Sequence, residues 1–187
     1  MPITTLDART ALVVIDLQKG LLGYPTRQPI GEIIARASAL AAAFRRHALP
    51  VVLVNVDARA PGRTDQARPW SPPAAGWDEI VSDLDPQAGD LRVTKRAPGA
   101  FGDTTLAADL RARGVTQVVV VGVATSNGVE ATARGAYDLG FHVTLPLDAM
   151  TDVDASSHEH SATRVFPRIA ETGWTADVLA LLDTRGA

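Results

Sequence analysis

Short runs of β-branched residues alternate along the chain with longer stretches in which apolar side chains recur every three or four positions. Residues 11–15 (Ala-Leu-Val-Val-Ile) form an apolar run stopped by Asp16, the pattern of a strand buried on both faces. Residues 32–47 then read as a helix. Ile33, Ile34, Ala37, Leu40, Ala41 and Phe44 make one apolar stripe, with Arg36, Arg45 and Arg46 largely outside it. Pro50 resets the chain before a second strand at 51–54. Further strands are predicted at 91–94, ending at Lys95, at 118–121 and at 141–145, with a short sixth near Gly173 and Trp174. Helices are predicted from a Thr104 or Thr105 cap to Arg113, over 129–139, and over 155–170, where Pro167 shortens or bends the element. Gly114 and Gly140 stop the first two of these. A terminal helix starts at Thr175, with Asp177 in its first turn.

Strand, crossover helix and strand in repetition predict an α/β sandwich with right-handed parallel connections. One segment breaks the rhythm. Residues 57–89, with the stretch APGRTDQARPWSPPAAG, are dense in proline, glycine and arginine, so no regular element is expected before about Trp77. So long a loop is either a surface excursion or a substrate lid or subunit contact anchored by Trp70 and Trp77. Neither side of it forms a complete domain alone, and 1–187 is expected to be a single domain.

Composition narrows the function classes. The 187 residues are 46% hydrophobic and 21% charged, enough to bury roughly two thirds of the surface in one domain and too apolar for wholesale disorder. The absence of cysteine excludes a disulfide framework, a cysteine nucleophile and thiolate metal ligands. A formal charge of -3 gives no general attraction to nucleic acid or anionic lipid. No apolar run approaches the roughly 20 residues of a membrane span. The opening MPITTLDART shows no secretory leader pattern, so a cytoplasmic location is expected. Neither GxGxxG nor GxxxxGK[ST] is present, and no cofactor is expected. The histidines His47, His142, His158 and His160 form no HExxH or carboxylate–histidine pattern, so no metal is expected.

Ligands of open α/β sheets bind at the carboxyl ends of the strands. Asp16 follows the first strand, Lys95 the third and Gly122–Gly128 the fourth, so these distant residues are expected to meet over an accessible cavity at one rim. Asp16 reads either as a turn cap or as an acid or base tuned by its surroundings. Lys95 reads either as a solvated strand-end charge or as a partner that stabilises the Asp16 carboxylate or an anionic substrate. In GVATSNG, Gly122 permits a tight turn off the strand, while Asn127 and Gly128 open the next helix with N–H groups able to receive an oxyanion. Thr125, Ser126 or Asn127 alternatively serves as a helix cap. Ser126 lacks the GxSxG surroundings of a nucleophile.

ALVVIDLQKGLL (11–22), VTKRAPGAF (93–101), VVVVGVATSNGVEATARGAYDLGF (118–141) and DAMTD (148–152) resemble the isochorismatase-like hydrolase family, within the cysteine hydrolase superfamily, over essentially the whole chain. The resemblance implies a three-layer α/β sandwich with a six-stranded parallel sheet of order 3-2-1-4-5-6. It also implies a homodimer or larger homo-oligomer, and a small-molecule substrate held by Gly122, Val123, Ala124, Thr125, Ser126, Asn127 and Gly128. Cysteine hydrolases of the superfamily use an Asp-Lys-Cys set. Their Asp and Lys match Asp16 and Lys95, while their cysteine falls on Gly128. The metal pattern of nicotinamidases after strand two has no counterpart in Asn55–Arg59.

Isochorismatases share the glycine and hydrolyse a vinyl ether by acid catalysis. They differ from this chain in a substrate-contacting glutamine after strand two, where Val56-Asp57 stands, and in Tyr-Ala-His, where Ala124-Thr125-Ser126 stands. The resemblance implies a cis peptide bond at Val123–Ala124. Phe101, with Trp70 and Trp77, is a candidate lid or interface residue. Three functions follow as expectations: a cofactor-independent hydrolase with Asp16 as acid and Lys95 as its partner, a water-mediated amide or C–N hydrolase, and a non-catalytic small-ligand binding or oligomeric scaffold protein.

Overall fold

The computed structural model describes residues 3–57, 60, 62–65 and 73–186. Its strands are β1 (Thr10–Ile15), β2 (Val51–Val56), β3 (Leu91–Lys95), β4 (Gln117–Val123), β5 (His142–Pro146), β6 (Met150–Thr151) and β7 (Glu171–Gly173). Its α-helices are α1 (Ile30–Arg46), α2 (Leu106–Ala112), α3 (Glu130–Asp138), α4 (Ala155–His160) and α5 (Thr175–Asp183).

The main sheet path runs β3-β2-β1-β4-β5-β7, and every strand pair in the sheet is parallel. This is the crossed-over order expected, with the strand at 171–173 in the sixth place. The two-residue β6 is an addition. β4 pairs with β5 along Gln117–Val119 and with β6 at Gly122–Val123, so β6 continues that edge of β4 up to the carboxyl rim.

Alternation along the central strands divides the core into two apolar layers. Leu12, Val14, Leu53, Val119 and Val121 pack against α1 and α5. Ala11, Val13, Ile15, Val52, Val54, Val118 and Val120 pack against α2 and α3. The arrangement is a three-layer α/β sandwich. The whole expected stripe of α1 is buried, which stabilises that packing by about 1.5–3 kcal/mol for each large apolar side chain.

Several boundaries moved for identifiable reasons. Thr104, rather than Thr105, receives the Leu106 N–H (3.2 Å) and starts α2. A wide π-helical turn occupies Thr125–Val129, so α3 begins one residue later than expected. The element at 155–170 breaks into α4, a second π-helical turn at Ser161–Val165 and a 3-10 turn at Phe166–Arg168. Pro167, which has no N–H to continue a ladder, lies at the start of that last turn. Among the described residues of 57–89, the regular element is a 3-10 turn at Ser82–Leu84.

Candidate functional site

The two most buried strands of the sheet end at the same place. β1 stops at Asp16, whose φ of +55° turns the chain sharply. Aspartate tolerates this left-handed backbone better than most residues. Beside it, Gly122 of β4 stands opposite Ile15 with a φ of +116°. A Cβ at Gly122 would lie 2.1 Å from the Ile15 carbonyl oxygen, so the glycine is needed for close approach of two strands rather than for a turn. The Val123–Ala124 peptide bond is cis.

Lys95, at the end of β3, reaches across β2 to this point. Its Nζ donates to Asp16 Oδ2 (2.8 Å) and to Ala97 O (3.3 Å). Asp16 is 6% exposed and Lys95 2%, so the pair is buried. Asp16 Oδ1 is also buried and has no hydrogen-bond partner. Burial pushes the Asp16 carboxyl up to about 6, against the opposing charge and hydrogen bond of Lys95. The outcome is a carboxyl group that changes protonation near neutral pH, with one oxygen committed to an ammonium and the other unoccupied.

Gly128 lies over this pair. A Cβ there would stand 2.9 Å from Ile15 Cγ2, 3.0 Å from Val123 O and 3.1 Å from Asp16 Oδ2. The turn has thus settled closer to the carboxylate than a side chain at 128 permits without movement. The remaining turn residues are held from outside. Thr125 Oγ1 meets His158 Nδ1 at 2.8 Å, and Ser126 donates both its N–H and its hydroxyl to Asp152 Oδ2, each at 2.8 Å. Asn127 donates its N–H to Ala124 O (3.0 Å). Of the Asn127 and Gly128 N–H groups expected to receive an oxyanion, that of Asn127 is therefore already engaged, and neither Thr125 nor Ser126 acts as a simple cap.

Asp152 and His158 were missed by sequence reasoning. Both are buried. Burial and the nearby Arg27 cation push the His158 imidazole down, against the opposing charges of Asp152 and Glu159, so the neutral ring is favoured at Thr125. The only sequence signal for Asp152 was its place in DAMTD, and His158 had none. Gln18 is a further omission. Fully buried, it accepts from Val56 N (2.8 Å) and donates to Val56 O (3.0 Å) and Trp77 O (3.3 Å). It thereby ties the residues after β1 to the end of β2 and to the segment around Trp77.

The two described aromatic candidates, Trp77 and Phe101, make different contacts. Trp70 lies outside the described residues. Trp77 is half-buried and packs on Gly20, where its indole leaves no room for a Cβ. Phe101 stacks on Phe141 (centroids 5.9 Å apart) and contacts Gly135 on the flank of α3.

Two cavities among the described residues lie at the amino ends of the strands. One, of about 900 Å3, is lined by Arg9, Arg45, Arg46, Asp90 and Arg113 among others. The other, of about 390 Å3, lies around Tyr137, Phe141, His142 and Ile169. Asp16 and Lys95 stand at the opposite, carboxyl rim, where both side chains are buried. Among the described residues, no three histidine, aspartate or glutamate side chains gather as a metal site, and no helix is long and apolar enough to cross a membrane.

Comparison with known proteins agrees with this geometry. The family model described as the isochorismatase domain matches residues 10–177. The chain is 39% identical over 178 residues to the uncharacterized isochorismatase family protein YwoC of Bacillus subtilis, covering 91% of this chain and 93% of that one. It is 28% identical over 207 residues to the ureidoacrylate amidohydrolase RutB of Variovorax paradoxus, covering 95% and 81%. A solved isochorismatase family protein from Burkholderia thailandensis superposes with a TM-score of 0.90 at 37% identity, covering 97% of this chain and 98% of that one. The residues matched and the near full-length likenesses together place the chain in the isochorismatase family.

Proposed function

We propose that the protein is a cofactor-independent hydrolase of a small polar or anionic substrate, with Asp16 as proton donor and Lys95 as its electrostatic partner. The observation that carries this reading is the Asp16 carboxyl itself: raised to about 6 by burial, bonded to Lys95 through Oδ2, and unpartnered at Oδ1. Burial favours holding a proton, and the ammonium favours releasing it. Since Oδ2 is occupied by Lys95, the proton belongs on Oδ1. Once it leaves, Lys95 stabilises the carboxylate that remains.

This balance suits acid-catalysed hydrolysis of a vinyl ether. Oδ1 delivers its proton to the terminal vinyl carbon, producing an oxocarbenium ion beside the new carboxylate. Water adds to that cation and loses a proton, and the hemiketal collapses into an alcohol and a ketone. No covalent nucleophile is involved, consistent with a chain that contains no cysteine. In this reading Gly128 occupies the position of the superfamily's nucleophile. For isochorismate the products are pyruvate and a dihydroxylated cyclohexadiene carboxylate. Pyruvate release from isochorismate is expected to fall at least 10³-fold in Asp16→Asn with the fold retained. Equal turnover by that variant rejects Asp16 as the acid.

A second reading, water-mediated amide or C–N hydrolysis, is favoured by the likeness to the ureidoacrylate amidohydrolase and by Ala124-Thr125-Ser126, which resembles the cysteine-hydrolase branch. Ammonia release from ureido substrates by the unmodified protein would select it over vinyl-ether hydrolysis.

A further inference from the structure

The π-helical turn at Thr125–Val129 forms one wall of the Asp16 site, yet its own wide backbone is a weak source of rigidity. What fixes it comes from β6. That strand pairs Met150 with Gly122 and Thr151 with Val123, immediately before the turn, and so delivers Asp152 to Ser126. Asp152 is 3% exposed, and its Oδ2 takes both Ser126 donors while Oδ1 takes the Asp154 N–H (3.3 Å). A hydroxyl and an amide on one buried carboxylate oxygen fix both the backbone and the rotamer of Ser126. The same short segment reaches the chain ahead of α1. Thr151 Oγ1 accepts from Gln28 N (3.1 Å) and the Asp152 carbonyl from Arg27 N (2.8 Å).

We propose that Asp152 is a positioning residue. Through Ser126 it holds the 124–128 turn against Asp16, and through its backbone it joins that turn to the segment at 26–28. It touches neither the Asp16–Lys95 pair nor, in this scheme, the substrate. Its action is to keep the glycine of the turn pressed over the carboxyl, excluding water from Asp16. Across the turn, Lys95 is the charged group on Asp16; Arg27, Asp152 and Glu159 are the charges acting on His158, and Asp154 adjoins Asp152 through its N–H. The inference rests on the proposed role of Asp16 as acid only for its consequence in catalysis; the positioning itself is independent of it.

The test follows two signals by NMR in the full chain: amide exchange along 124–129 and the titration of the Asp16 side-chain carbon. In Asp152→Ala, exchange at Ser126 is expected to rise about tenfold or more, the equivalent of one lost hydrogen bond, and the Asp16 midpoint to move from about 6 toward 3.8 as water enters. Asp152→Asn, which keeps an acceptor, is expected to restore most of both signals. Ser126→Ala, which removes only the hydroxyl branch, is expected to give a smaller change in the same direction. These two variants carry the test if Asp152→Ala fails to fold. A purely structural aspartate would lower stability and leave the Asp16 midpoint in place. An unchanged midpoint together with unchanged exchange at 124–129 overturns the proposal. A low midpoint already present in the unmodified protein would instead reject Asp16 as the acid while leaving the exchange result to decide on Asp152.

Discussion

The two ends of the sheet are built on opposite terms. At the amino ends of the strands the surface opens into a groove of about 900 Å3, edged by arginines. Arg45 there is held bidentately by Asp90 (3.0 and 2.7 Å), while Arg9, Arg46 and Arg113 are exposed. At the carboxyl ends a carboxylate and an ammonium are almost wholly buried, with one oxygen left without a partner. Charges in water are screened and interchangeable; charges taken out of water are costly and respond steeply to their neighbours. The arginine-edged groove is therefore the less informative end. In this fold chemical potential follows desolvation rather than volume.

Substitutions at the two ends should differ accordingly. Lys95→Met has the largest expected effect. It leaves Asp16 buried without its cation, which should lower stability by about 3–5 kcal/mol at pH 8 in denaturant melts. The loss should shrink toward pH 5, because the Asp16 carboxyl then rises above 6 and protonates, removing the unpaired charge. An equal loss at both pH values would contradict the coupling of the two groups.

The second expectation concerns pH alone. The folded carboxyl binds its proton more tightly than the unfolded one, so between about 3.8 and 6 the folded state carries the extra proton. The contribution of Asp16 to stability is therefore highest below that window and falls by about 3 kcal/mol as pH rises through it. Comparing melts of the unmodified protein and Asp16→Asn across this range isolates the effect. The difference should shift in favour of the asparagine variant with rising pH.

Next in size is the glycine of the turn. Gly128→Ala should destabilise by about 1–3 kcal/mol, because the new methyl meets Ile15 Cγ2, Val123 O and Asp16 Oδ2. Ile15→Leu removes that γ2 methyl at constant volume, so the double variant should recover part of the loss. Strict additivity would show that Ile15 is not the obstacle. The same crowding leads us to expect no amidase turnover from Gly128→Cys alone. At the other end, Arg9→Ala should change stability by no more than about 0.5 kcal/mol. A larger loss would break the contrast between the ends.

What the sequence made legible follows the same division. The β-branched runs and the α1 stripe gave strands and a helix because their burial is periodic. Asp16 and Lys95 could be brought together without coordinates because both stand at the ends of strands in a parallel sheet, where topology alone aligns them. β6 could not be found this way: two residues have no period. Asp152 and His158 stayed hidden for a related reason, since each reaches the turn across 26 and 33 residues through that short strand and α4. How tightly the rim closes depends on packing at Ile15 and Gly128, where fractions of an ångström decide and pattern is silent.

The central claim is that burial raises the Asp16 carboxyl to about 6 while it is bonded to Lys95. A carbon-13 titration of the Asp16 side chain in the unmodified protein tests it directly. The account expects a midpoint near 6; a midpoint at 3.8, the ordinary value for aspartate, would contradict it.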